Sequence, residues 1–155
     1  MISATHLHAM IVHFPIALLM AGFLSEVISL FSKNQFYRNA AFYLLVLGSL
    51  GSAAAFLSGS YAGEGVEEGP LEGPIELHEN AALLTIWLSG IVSVFYVAIF
   101  LLKYKAAWSR VTGILLFAAL IGSLARTGYL GGHLVYNHGA GVELTFPDSN
   151  TDSED

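Results

Sequence analysis

Long apolar stretches separated by shorter polar breaks make up most of this chain, and there are four of them. They cover about residues 10–31, 40–57, 77–102 and 108–130, each near the roughly 20 residues that a helix needs to cross a hydrocarbon core about 30 Å thick. Inside such a core each segment has to satisfy its own backbone N–H and C=O groups, so stretches of this length read as helices. Lys33, Asn34, Gln35 and Arg38 form the first break and Lys103, Tyr104, Lys105 and Ala106 the third; the second, Ser58 to Glu76, is rich in Gly, Pro and Glu. Short breaks set consecutive helices antiparallel. The pattern predicts an all-α, polytopic membrane four-helix bundle running up-down-up-down, one domain over residues 1–146 with a disordered acidic tail at 147–155. Gly48, Gly51 and Ala55 give the second span a small-residue face for close packing. Gly131-Gly132 is expected to end the fourth, and Trp108 to anchor it at the interface.

Composition fixes the solvent. With 55% hydrophobic and 12% charged residues and a mean hydropathy of +0.64, the chain lies outside the range of soluble domains and belongs in a lipid bilayer. It has no cysteine, which excludes disulfides, thiolate iron–sulfur or zinc sites and covalent haem attachment, leaving N and O ligands. The net charge of −6 comes largely from the Glu-rich break and the tail, and argues against nucleic acid as a partner. No nucleophile motif or phosphate loop points to hydrolysis or group transfer. The polar opening lacks a basic n-region and a cleavage site, so the first span reads as an uncleaved anchor. Five of the six basic residues, Lys33, Arg38, Lys103, Lys105 and Arg110, lie beside the two short breaks. This places those breaks in the cytoplasm and both termini in the periplasm of a bacterial inner membrane.

That orientation gathers all six histidines, His6, His8, His13, His78, His133 and His138, at the outer face. Imidazole is the side chain best suited to haem iron, copper or zinc. His13 lies a few residues into the first span, before Pro15, and is expected to point into the bundle. His8, five residues earlier and about 140° around a helix, shares that face only if the chain there is not helical. His78 opens the third span, and His133 and His138 lie in a glycine-bracketed return after the fourth; His6 reads as a bystander. Spans one and three are diagonal in such a bundle, so His13 and His78 are placed to ligate haem b from opposite faces, with His133, His138 or His8 for alternative ligation or for support of the ligands. Arg126 would then meet the propionates, and Gly122, Ser123, Ala125 and Gly128 would make room for the macrocycle.

Two other readings stay open. His8, His13, His78, His133 and His138, with Glu79 or Glu143, form a candidate site for copper, zinc or non-haem iron. Alternatively, imidazoles titrating near pH 6.5 give a non-catalytic subunit a pH-responsive interface. Glutamates 64, 67, 68, 72, 76 and 79 read first as a solvated segment and second as a lure for a basic partner such as a small cytochrome. Glu26, near the far end of the first span, is expected to snorkel or to pair with Arg38.

The stretch from His8 through His13-Phe14-Pro15 to Leu18, the placement of His78 and the run Gly131-Gly132-His133-Leu134-Val135-Tyr136-Asn137-His138-Gly139 resemble the bacterial membrane family called domain of unknown function 2231. The resemblance covers nearly the whole chain. Ala9 stands where the family's His-Pro-x-x-x-His-Phe-Pro opening has its first proline, although the histidines are retained. The resemblance implies a four-helix inner-membrane protein. Relatives carrying fused c-type haem or Rieske-type modules imply an electron-transfer setting. On the haem reading, a periplasmic cytochrome or other redox protein and a membrane quinone are candidate partners, and a homo-oligomer is a candidate assembly.

Overall fold

The computed structural model describes residues 3–63, 70–104 and 106–142. They form four helices, α1 (Ala4–Phe31), α2 (Gln35–Gly63), α3 (Glu72–Leu101) and α4 (Ala107–His138), with no strand among the described residues. Each helix is long and apolar enough to cross a membrane. Glu64, Glu67, Glu68, Lys105, Glu143 and the tail at 147–155 lie outside the described residues.

The helices overrun the apolar stretches, mostly at one end of the bundle. α1 starts at Ala4 because Ser3 caps it, its hydroxyl accepting the His6 backbone N–H at 3.2 Å. This makes Pro15 an interior helix residue and not a first-turn one. Its ring removes one backbone donor, a loss that packed membrane helices tolerate. α2 takes in Ser58 to Gly63, and α3 takes in Glu72 to Glu76, so much of the expected second break is helical. α4 runs straight through Gly131-Gly132 and stops at Gly139, whose φ of 64° and N–H bonds back to Leu134 and Val135 form the C-cap. Two glycines cost a helix only about 1 kcal/mol each, which helix packing here outweighs. The expected return after span four is therefore helix.

Each helix packs on two others around a ring, α1 on α2, α2 on α3, α3 on α4 and α4 on α1, leaving α1 and α3 diagonal. Paired positions run in opposite order along neighbours, as at Gly59 with His8 and Gly48 with Leu19, so the topology is up-down-up-down. Each helix contributes to a fully buried centre made of Leu19, Leu45, Val92, Phe117 and Leu120. Phe14, Leu24, Leu47, Trp87, Leu101 and Leu115 are exposed, as befits surfaces that meet acyl chains.

The seams are closed in two ways. Between α1 and α2, a Cβ on Gly48 would sit 2.8 Å from the Leu19 side chain and one on Gly51 3.3 Å from Pro15, so absent side chains let the backbones approach. The seams of α3 use hydroxyls. Thr85 Oγ1 lies 2.7 Å from Ser123 Oγ and 2.8 Å from Thr127 Oγ1, while Ser93 donates to Ser49 at 2.8 Å and Ser49 to the Ser89 carbonyl at 3.3 Å. Trp108 is exposed at the opposite end of α4 from Gly139, its Nε1–H donating to the Tyr104 hydroxyl at 3.0 Å, an arrangement suited to an interface.

Candidate functional site

Starting α1 at Ala4 sets the rotation of its histidines. His8 turns toward the interior and is half-buried, whereas His13, about 140° further round, is exposed. The expected His13–His78 pair is not the one that the bundle brings together. His13 keeps only its own helix, its Nδ1–H donating to the Ala9 carbonyl at 2.6 Å. His8 and His78, from the diagonal helices, are instead the two histidines that are half-buried, each against a glycine of a neighbouring helix at the same end of the bundle.

Both inner rings are held by the same device. His78 Nδ1 lies 3.2 Å from the Thr127 carbonyl of α4; a carbonyl only accepts, so Nδ1 carries the proton and Nε2 keeps its lone pair. His8 Nδ1 lies 3.0 Å from Ser58 Oγ of α2, and that hydroxyl donates its own proton to the Ala55 carbonyl at 2.9 Å. His8 Nδ1 is therefore the donor too, and its Nε2 is bare. Fixing one ring nitrogen through a hydrogen bond is how proteins prepare the other as a ligand. Each ring also lies against a glycine: a Cβ on Gly59 would come within 2.9 Å of His8 Cε1, and one on Gly131 within 3.1 Å of His78 Cε1. Gly131, expected to break α4, instead makes the space in which His78 lies.

Eighteen residues further along both helices the diagonal is polar again. Glu26 follows His8 and Tyr96 follows His78 by the same five helical turns, so each pair shares one face. Glu26 is only 6% exposed and does not snorkel. Arg110 of α4 and Arg38 of α2 bring positive charge toward it, and the Tyr96 hydroxyl lies beside it but outside hydrogen-bonding geometry. Arg110 donates to the Ser29 carbonyl, while its Nε and the Tyr96 hydroxyl are buried without a partner among the described residues. The tip of Tyr96 rests where Gly113 lacks a side chain, 3.1 Å from the position of a Cβ. Tyr96 and Arg110 escaped the sequence reading as partners of Glu26. The shared eighteen-residue step was the available signal for Tyr96.

The remaining histidines are on the outside. His133 and His138, near the end of α4, are exposed with ring centroids 5.2 Å apart, and His6 is exposed beside Ser3 at 3.2 Å. Among the described residues no three His, Asp or Glu side chains come together as a group able to hold a metal ion. The expected five-histidine metal site thus separates into an inner pair, an outer pair and a single ring, His13, and Glu79 is exposed. Arg126 is exposed on α4, as are Gly122, Ala125 and Gly128, while Ser123 is engaged with Thr85. Those three small residues make no room inside the bundle. An open cavity of about 390 Å³ is lined by Tyr129, Gly132, His133, Tyr136 and Asn137, and a smaller one of about 150 Å³ by Pro74, Leu77, Tyr129, Leu130 and His133.

Among known proteins, the family model described as a predicted membrane protein, DUF2231, matches residues 4–144. No curated protein and no solved structure matches the chain.

Proposed function

We propose for this chain, which belongs to the DUF2231 family of predicted membrane proteins, that it is a membrane b-type haem protein of electron transfer, in which His8 and His78 are the side chains that would hold the haem. The observation that carries this reading is the inner pair, two imidazoles on diagonal helices whose Nδ1 atoms are both committed to donation. A two-donor set suits a macrocycle that already supplies four nitrogens, whereas a bare zinc or copper ion draws three or four ligands from the protein. A haem held by two imidazoles supplies one-electron transfer at its iron. Ser58 and the Thr127 carbonyl hold the rings in the ligating tautomer, and Gly59 and Gly131 let them lie close to the neighbouring helices. The buried centre below, from Leu19 to Leu120, keeps water out. Arg126, exposed beside Thr127 on α4, is the cation available to propionates. Basic residues beside the short turns support a histidine end in the periplasm of an inner membrane. A periplasmic cytochrome or similar redox protein is then the partner at that face, and quinone the partner in the lipid.

An optical spectrum of tag-free protein, expressed with haem supplied and purified in detergent, tests the reading. A Soret band and a reduced-minus-oxidised α band are expected, lost in His8→Ala and in His78→Ala and retained in His13→Ala. A wild-type protein without a Soret band, or bands that survive both inner substitutions, would overturn it.

A further inference from the structure

We infer that the α2–α3 seam, at the end beside the two short turns, is a binding site for an anionic phospholipid whose phosphodiester group is met by Arg38 and Lys103. The argument starts from how the fold brings those turns together. Phe42 of α2 stacks on Phe100 of α3 with ring centroids 4.6 Å apart, and Ser49 of α2 accepts from Ser93 of α3 at 2.8 Å. Both pairs fall on one antiparallel register, since the step forward from Phe42 to Ser49 equals the step back from Phe100 to Ser93. Carried one turn beyond Phe42, that register sets Arg38 level with Lys103. Arg38 and Phe42 share a helix face, so Arg38 stands on the side of α2 that meets α3.

Three further observations give the place its chemistry. Lys33, Arg38 and Lys103 are exposed, while among the described residues the only acid in this half of the bundle is Glu26, which is buried. Positive charge is thus in excess here and draws its counter-charge from outside the chain. Next to these cations Phe36, Phe100, Leu101 and Leu102 are exposed, and the exposed Tyr104–Trp108 pair is of the kind that lies at a lipid–water boundary. A ligand that matches both surfaces has an anionic head and apolar tails. The third observation is in the backbone. α4 closes through a left-handed glycine, Gly139 with φ 64°, whereas the left-handed residue after α3 is Lys103, with φ 51°. Glycine takes that conformation freely and a side chain crowds it. A lysine kept where glycine would relieve strain fits a residue needed for its charge. Arginine can grip a phosphate through two parallel N–H bonds and lysine serves as a point charge beside it. A zwitterionic headgroup brings its own cation to the same place and is the poorer ligand. The site lies at the opposite end of the bundle from His8 and His78 and stands independently of the haem reading.

The test is native mass spectrometry of the full-length protein from detergent containing equal amounts of phosphatidylglycerol and phosphatidylcholine with the same acyl chains. Phosphatidylglycerol should be retained in preference by about tenfold or more, each cation at the surface contributing a factor of about five. Arg38→Gln and Lys103→Gln should each reduce the preference by about that factor. Lys103→Gly removes the charge and relieves the backbone together, so it should lose the preference while melting no lower than wild type in lipid-free detergent. That variant separates lost binding from lost folding. Equal retention of the two lipids by the wild type, or an unchanged preference in both glutamine variants, would overturn the proposal. So would displacement of the lipid by inorganic phosphate, which would mark a site for free anions.

Discussion

The α1–α3 diagonal is polar at both ends, and its two ends are built in opposite ways. At one, His8 and His78 are half-buried, each Nδ1 is tied to a neighbouring helix, and each Nε2 is left bare. At the other, Glu26 is buried more deeply, yet the Tyr96 hydroxyl and Arg110 Nε beside it have no partner among the described residues. The histidine end spends its hydrogen bonds on orientation, so what remains free is a lone pair that can ligate. At the carboxylate end, positive charge and a phenol surround one acid, and what remains free is a pair of donors. Depth of burial is thus a poor guide to readiness for binding, and the state of the remaining lone pairs is a better one.

Substitutions at each end test whether the ends are independent. Arg110→Met takes away the charged donor to the Ser29 carbonyl, and losing a hydrogen bond from a charged group costs about 2 kcal/mol. Denaturant titration in detergent should show that loss with the haem spectrum unchanged; a vanished Soret band would mean that the ends are one unit. Next in size, Gly59→Ala pushes a methyl to within 2.9 Å of His8 and pulls the ring from Ser58. Haem affinity should fall by about tenfold, and by less in Gly131→Ala, where the approach is 3.1 Å. Thr85→Val removes the hydroxyl shared with Ser123 and Thr127 between the ends and should cost about 1 kcal/mol in the same titration. Smallest of all, His13→Ala should change stability by less than about 0.5 kcal/mol. Combining His78→Ala with Arg110→Met sharpens the comparison, since sites this far apart should add to within about 0.5 kcal/mol.

The four helices and their order were legible because hydropathy over 20 residues reports the hydrocarbon core directly. Helix ends were not, because they are set by caps and packing that hydropathy does not see. Ser3 begins α1 six residues before the apolar stretch, and Gly139 ends α4 eight residues after it. The choice of histidine turned on that detail. A helical chain from Ala4 puts His8 inside and His13 outside, and the reverse expectation came from treating His8 as lying before the helix. Gly131 misled for a related reason: read locally it is a helix breaker, but its absent side chain serves His78 on another helix. Glu26 stood out as an acid within a span, although only the folded bundle shows that it faces Tyr96 and Arg110.

The five turns between the two polar pairs also amount to a length. Eighteen residues of helix rise about 27 Å, close to the thickness of a bilayer's hydrocarbon core, so a core matched to that spacing would meet one pair at each lipid–water boundary. The diagonal acts as a gauge whose two marks are fixed on the same pair of rigid rods. In a thicker bilayer both marks are drawn into acyl chains at once, and tilting cannot relieve this because it shortens the span further. Reconstituted into phosphatidylcholines of increasing chain length, the protein should be most stable where the hydrocarbon thickness matches that spacing and should lose stability on the thick side first.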